Sequence, residues 1–237
     1  MKDIPLNERI IFALDFSDPE EAKAWVEKID SEIKFFKVGL QLFIAGWWDV
    51  IDHIVQRGNK VMVDLKFFDI PETVSLAVQQ LKGRGVTFAT IHGNDPIIRA
   101  AVEQKNGIKI LAVTVLTSFD ESDMREMGLQ GSVADLVLIR SRKAINLGCD
   151  GVVSSGREAE KLRAEIGSNF VIVTPGIRPG VNIDVIKDDD QKRVATAKEA
   201  IKKGADYVVI GRPIRKAPDP LKAIADIQRE ISEALHA

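Results

Sequence analysis

The chain has 237 residues, 45% hydrophobic and 29% charged, which excludes a disordered, collagen-like or disulfide-stapled class and is enough for one sizeable core. Its 33 Lys and Arg against 35 Asp and Glu leave a formal charge of -2, so no global pull toward nucleic acid or an anionic lipid surface follows. One cysteine, Cys149, makes no intrachain disulfide, and with no apolar run near the roughly 18 residues of a membrane helix and no apolar signal core at the N-terminus, a cytoplasmic protein is expected.

In chain order, β-branched runs predict strands over Ile10 to Phe16, Phe35 to Leu40, Lys60 to Phe67, Phe88 to Gly93, Lys109 to Leu116, Gly151 to Ser155, Phe170 to Ile177 and Tyr207 to Arg212. Most are apolar without alternation, as strands covered on both faces by helices should be, so the sheet is expected to be parallel. The segments between them have helical spacing. Asp18, Pro19 and Glu21 read as N-cap, first-turn proline and capping-box acid, followed by the stripe Ala22, Trp25, Val26 and Ile29. Trp47, Val50, Ile51, Ile54 and Val55 repeat that spacing before Gly58 ends it. Val74, Ala77, Val78 and Leu81 form a third face, and residues 157–166, 196–203 and 221–235 carry usable ones. Strand-then-helix units without a linker predict a single (β/α)8 barrel spanning residues 1–237; an open doubly wound sheet is the structural alternative. Two polar stretches break the rhythm. Residues 178–193 read as a mobile loop, its run Asp188 to Asp190 most simply solvated surface, and residues 117–132 follow the fifth strand at the barrel's catalytic rim.

Polar residues at the C-terminal ends of barrel strands face the active site, which selects Asp15, Lys37, Asp64, Lys66, Asp69, His92, Thr117, Ser118, Arg178 and Arg212. Asp64 and Lys66 are two apart and on a strand point to one face. Burying both is costly unless they pair, and Asp69 adds a further charge. A structural ion pair accounts for two charges, and a lysine snorkelling from a strand end accounts for Lys37. Two lysines and two aspartates together form an alternating array, for which neither explanation suffices.

The strand-seven and strand-eight ends, Thr174-Pro175-Gly176-Ile177-Arg178 and Ile210-Gly211-Arg212-Pro213, read as a phosphate cradle. Gly176 and Gly211 admit backbone N–H groups to an anion, and Arg212 offers a guanidinium fork. No metal-ligand spacing stands out: His53, His92 and His236 are far apart. His92 reads equally as pocket lining or as a satisfied structural histidine. Asp15, Asp64, Asp69 and His92 are the residues from which a divalent cation site could be collected. No dinucleotide fingerprint, phosphate-binding Walker loop or nucleophile elbow is present. Cys149 reads as a small buried hydrophobe.

Asp15, Lys37, the DxKxxD motif of Asp64, Lys66 and Asp69, Leu116-Thr117-Ser118, the segment from Thr174 to Arg178, and Ile210-Gly211-Arg212 together resemble the orotidine 5'-phosphate decarboxylase family of bacterial type. The resemblance runs over essentially the whole chain in the same order. DxKxxD is shared with metal-dependent barrel relatives such as keto-gulonate-phosphate decarboxylase, but those carry an acid near the position of Lys37. The resemblance implies conversion of orotidine 5'-phosphate to uridine 5'-phosphate and carbon dioxide, in de novo pyrimidine biosynthesis, with no metal or organic cofactor. It implies that Lys66 protonates the carbanion at pyrimidine C6, that Asp64 lies beside the departing carboxylate, and that Lys37 and Asp15 hold the ribose. Thr117 and Ser118 would contact the pyrimidine; Pro175, Arg178, Gln191, Gly211 and Arg212 would line the phosphate end, with the loop of residues 178–193 closing over it. Asp69 and Thr73 would reach into the neighbouring subunit's site, so the implied unit is a homodimer. A metal-dependent sugar-phosphate lyase and a non-catalytic phosphoribosyl-ligand binder on the same scaffold are the competing readings.

Overall fold

The computed structural model describes residues 2–178 and 194–236. Of the expected phosphate-closing loop only Arg178 falls within them; Gln191 and the acidic run Asp188 to Asp190 lie outside the described residues.

The chain begins with α1 (Leu6–Arg9), β1 (Ile10–Ala13), α2 (Pro19–Ile29), β2 (Phe35–Gly39), α3 (Leu40–Gln56), β3 (Lys60–Phe67) and α4 (Pro71–Gln79). It continues through β4 (Val86–Ile91), α5 (Asp95–Glu103), β5 (Lys109–Val113), α6 (Glu121–Glu126), α7 (Val133–Asn146), β6 (Gly151–Val153) and α8 (Ala159–Ile166). The last elements are β7 (Val171–Thr174), α9 (Ala197–Lys202), β8 (Tyr207–Ile210), α10 (Arg212–Arg215) and α11 (Pro220–Leu235). The strands close in chain order, β8 pairing with β1 and every pairing parallel. This is the expected (β/α)8 barrel.

Alternation along each strand divides two apolar cores. Ile10 and Phe12 of β1 pack outward with Val26, Ile29 and Ile54 of the helices, while Ile11 and Ala13 face the barrel interior. Lower in that interior Phe35, Phe88 and Tyr207 form a three-ring cluster with centroids 4.9 to 5.7 Å apart. Gly151 keeps β6 close to β7, because a Cβ there would overlap the carbonyl oxygen of Val171 and approach Leu111 Cδ2 within 2.9 Å.

Below the strands Asp206 is 5% exposed and nonetheless ionically satisfied. Its carboxylate meets Arg163 at 2.7 Å and Lys2 at 3.0 Å, and accepts from the backbone N–H of Ile172 at 2.9 Å. Arg163 also donates to the carbonyls of Gly204 and Phe170, tying β7, α9 and β8 together at the end away from the catalytic rim.

Several expected boundaries are corrected. Predicted strands one, five, six and seven overrun their ladders at the C-terminal end because burial continues past the last paired residue, as at Leu14, Phe16 and Val115, whereas strand two runs into the first residue of α3, Leu40, which is 56% exposed, and strand eight runs into α10. β4 begins two residues earlier than expected, at Val86, and ends two earlier, before His92 and Gly93. Arg212 opens the short helix α10 and does not end a strand. Trp47 is 65% exposed rather than part of the buried stripe, and its backbone at φ 47° and ψ -129° kinks α3. Asp18 caps α2 by accepting from Glu20 N–H at 2.9 Å, one residue short of the capping-box position at Glu21. The polar stretch after β5 holds α6, for which Asp120 and Asp123 make a capping box.

Candidate active site

The centre of the site is an irregularity in β3. Val63 pairs with Ala89 and Phe67 with Ile91, so three β3 residues, Asp64, Leu65 and Lys66, stand against the single residue Thr90. Lys66 sits at φ 50°, a left-handed backbone that a non-glycine residue adopts at a cost. Its backbone N–H, out of the ladder, donates to Thr90 Oγ1 at 3.0 Å, and that hydroxyl donates to Asp64 Oδ1 at 2.9 Å. Asp64 and Lys66 therefore share one side as their spacing suggests, but on a bulge and not on a regular pleat.

Four charges form a row across β1, β2 and β3. Lys37 Nζ lies 3.1 Å from Asp15 Oδ1 and 3.6 Å from Asp64 Oδ2, and Lys66 Nζ lies 3.0 Å from Asp64 Oδ1. The side chains of Lys37 and Asp64 are 11% and 12% exposed, those of Lys66 and Asp15 35% and 56%, so the row runs from the interior to the rim at both ends. Burial alone pulls the Lys37 ammonium down, but the carboxylates of Asp64 and Asp15 outweigh it and hold the group above its ordinary value. Burial likewise pushes the Asp64 carboxyl up, and the two ammonium groups, with the hydrogen bonds from Lys66 and Thr90, bring it below the carboxylate range. Both inner groups thus stay ionised in a site that would otherwise neutralise them. Gly39 leaves room for this: a Cβ there would lie 3.0 Å from Lys37 Nζ.

The row borders a cavity of about 310 Å³ at the C-terminal ends of the strands, walled by Thr117, Ser118, Pro175, Arg178, Gly211 and Arg212, with Met62, Val113, Val153 and Val209 supplying apolar surface. Arg178 is set by the pairing of its N–H with Ala195 O at 2.9 Å, and Gly176, at φ 73°, turns the chain before it. Gly211 caps α10 and comes so close to β1 that a Cβ would lie 3.1 Å from Ala13 Cβ and 3.4 Å from Asp15 Oδ2. Arg215 reaches back to donate to the Asp15 carbonyl at 2.7 Å.

Of the sequence-derived candidates, Asp15, Lys37, Asp64, Lys66, Thr117, Ser118, Pro175, Arg178, Gly211 and Arg212 converge on this cavity. Asp69 and Thr73 do not line it; both are exposed, and Asp69 Oδ1 accepts a local bond from Ile70 N–H at 2.7 Å. Within one chain, Asp15 is the aspartate on the other side of Lys37 from Asp64. His92 also stands aside, its Nδ1 2.8 Å from Val113 O and its ring edge-on to Phe68 at 5.3 Å. Cys149 is buried, its thiol pushed up to about 12 by that burial. Thr90 and Gly39 are the contributors that sequence reasoning passed over. A threonine inside a strand reads as β-branched filler; its position across from the DxK triplet was the available signal.

A closed parallel barrel whose ionised groups and cavity gather at the C-terminal strand ends defines the class of (β/α)8-barrel enzyme. Residues 8–227 match the model of the Orotidine 5'-phosphate decarboxylase / HUMPS family, and the chain belongs to that family. It is 50% identical over 237 residues to an orotidine 5'-phosphate decarboxylase of Methylococcus capsulatus, covering all of this chain and 97% of that relative. It is 43% identical to one of Stenotrophomonas maltophilia, covering 98% of this chain and 95% of the relative. Among solved structures, orotidine 5'-phosphate decarboxylase of Lactobacillus acidophilus superimposes with a TM-score of 0.82 at 35% identity, over 94% of this chain and 99% of that one. No helix among the described residues is long and apolar enough to cross a membrane.

Proposed function

We propose that the protein decarboxylates orotidine 5'-phosphate to uridine 5'-phosphate and carbon dioxide, a step of pyrimidine biosynthesis in the cytoplasm, and that it does so without a metal or organic cofactor. The observation that carries the reading is the row Asp15, Lys37, Asp64, Lys66 set against a cavity whose far wall holds Arg178 and Arg212. An anionic substrate bridging the two walls meets cations at both ends.

The substrate phosphate binds to Arg178, Arg212, the backbone at Gly211 and Gln191, with residues 178–193 closing over it and Pro175 shaping the turn. Thr117 and Ser118 meet the pyrimidine, and Asp15 and Lys37 hold the ribose hydroxyls. The C6 carboxylate then lies against Asp64. Two like charges about 4 Å apart at an effective dielectric near 20 repel by roughly 4 kcal/mol, a repulsion that ends when carbon dioxide departs. The C6–carboxylate bond breaks with its electron pair left on C6, and Lys66 Nζ, fixed beside that carbon, stabilises the pair and transfers a proton to it; solvent then reprotonates the amine. Closure around the distant phosphate contributes binding energy that orients the reacting end.

In this reading the working unit is a homodimer in which Asp69 and Thr73 complete the neighbouring site. Three features support it: both residues are exposed and away from their own cavity, Asp69 is flanked by Phe68 and Ile70, each 66% exposed, and a second cavity of about 170 Å³ opens beside Asp15, Lys37, Asp64 and Lys66. The direct test is turnover of orotidine 5'-phosphate by EDTA-treated protein, followed by ultraviolet absorbance. Substrate loss that persists in EDTA and vanishes in Lys66→Ala, with the variant's circular dichroism unchanged, is the expected result. Full activity in Lys66→Ala, or activity abolished by chelation and restored by a divalent metal, refutes the mechanism.

A further inference from the structure

We infer that Thr90 is a positioning residue of the decarboxylation, holding Asp64 and Lys66 in register through one hydroxyl; the inference rests on the function proposed above. The β3 bulge leaves the Lys66 N–H without a ladder partner, and Thr90 Oγ1 accepts it at 3.0 Å while passing its own proton to Asp64 Oδ1 at 2.9 Å. The same Oδ1 accepts from Lys66 Nζ at 3.0 Å, so backbone, carboxylate and ammonium close a ring through this hydroxyl. Thr90 is fully buried, so no water replaces the group where it stands. Its β-branched χ1 is stiff, which suits a residue that must aim a hydroxyl.

The hydroxyl acts on two things at once. It anchors a lysine backbone held at φ 50°, a conformation that persists only where the surroundings enforce it. It also donates to the charged form of Asp64, adding to the cations that keep this carboxyl ionised. The groups facing Asp64 are Lys37 from β2, with Asp15 from the segment after β1 behind it, Lys66 from its own strand and Thr90 from β4; Arg178 and Arg212 line the same cavity from the opposite wall. Removing the Thr90 donor leaves the two ammonium groups of Lys37 and Lys66 to act and moves the protonation of Asp64 to higher pH.

The test compares Thr90→Val, which keeps shape and loses the hydroxyl, with Thr90→Ser, which keeps the hydroxyl. Thr90→Val should lower kcat by about 10- to 100-fold, the loss of a hydrogen bond to a charged group, with KM changed less than about threefold, and should shift the acid limb of the kcat profile to higher pH. Thr90→Ser should stay within about threefold of wild type. Wild-type kcat and pH profile in a folded Thr90→Val, or Thr90→Ser impaired as badly as Thr90→Val, overturns the inference. If Thr90→Val does not fold, Thr90→Ala against Thr90→Ser makes the same comparison. A carbon-13 NMR titration of the Asp64 carboxyl reads the effect with no substrate: an unchanged Asp64 titration in the hydroxyl-free variant refutes the role. An inactive wild type whose Asp64 still shifts would refute the decarboxylase reading alone.

Discussion

Lys37 and Asp64 are ionised for each other's sake, and this sets how the molecule responds to pH. The Asp64 carboxyl is held below its ordinary value of 3.8 because Lys37 and Lys66 overcome the burial that would raise it. An unfolded Asp64 therefore binds a proton more readily than the folded one, so its stabilisation is fully present above that ordinary value and is lost as pH falls through the lower folded one. Lys37, held above 10.5, contributes in full below that value and is lost only as pH rises through its higher folded one. Wild-type stability should thus fall as pH drops below about 4, and Asp64→Asn, which cannot take up that proton, should fall less; urea midpoints measured from neutral into the acid range would show it. Equal slopes for the two proteins would mean that the pair does not carry the acid sensitivity. These charges were legible in the sequence because aspartate and lysine do not enter an apolar strand without cause. Their pairing was only partly legible: the i, i+2 spacing joined Asp64 with Lys66, but a single sequence does not show that β3 ends at Phe67, before Asp69, or that Asp15 is the neighbour of Lys37 within the chain.

At the scale of elements, the tight contacts around β6 mark where packing leaves no freedom. A methyl group at Gly151 has nowhere to go except into Val171 and Leu111, so Gly151→Ala should destabilise the protein by about 1–3 kcal/mol, read as a Tm lowered by several degrees in calorimetry. An unchanged Tm would mean that β6 and β7 can separate without loss. The strands themselves were readable from sequence as uninterrupted apolar runs, which is how strands covered on both faces look. Their ends were not, since Leu14 and Phe16 remain buried after pairing stops and composition reports burial rather than ladder bonds. Trp47 misled for the opposite reason: its spacing fits a helical stripe, but the break in α3 at that residue turns the ring outward against Phe43, with centroids 5.9 Å apart. Thr90 shows the same limit, because a bulge is a property of two strands together and neither strand announces it alone.

For the whole molecule, the two ends of the barrel divide the work. The Asp206 network lies at the lower end, so Asp206→Ala, which leaves Arg163 and Lys2 without their buried partner, should cost about 3–5 kcal/mol of stability while kcat per folded molecule stays unchanged. A loss of kcat in protein that remains folded would show that strain travels the length of the strands. The upper end, in the dimer proposed, depends on a second copy. Lys66→Ala and Asp69→Ala should each be inactive, yet a mixture refolded together should regain activity, because a mixed dimer holds one site with Lys66 from one chain and Asp69 from the other. No recovery on mixing would place Asp69 in the service of its own chain.

The left-handed backbone at Lys66 has a consequence for descent as well as for catalysis. A lysine at φ 50° carries roughly 1 kcal/mol of strain that glycine would not, and its ammonium, one-third exposed, is one of two beside Asp64, the more deeply buried being Lys37. A gene copy released from selection for turnover, and kept only for holding a ligand, would gain by drifting to glycine or asparagine at this position. The residue at 66 then serves as a historical marker: lysine retained against its own backbone preference distinguishes a lineage still selected for chemistry from one that has laid it down.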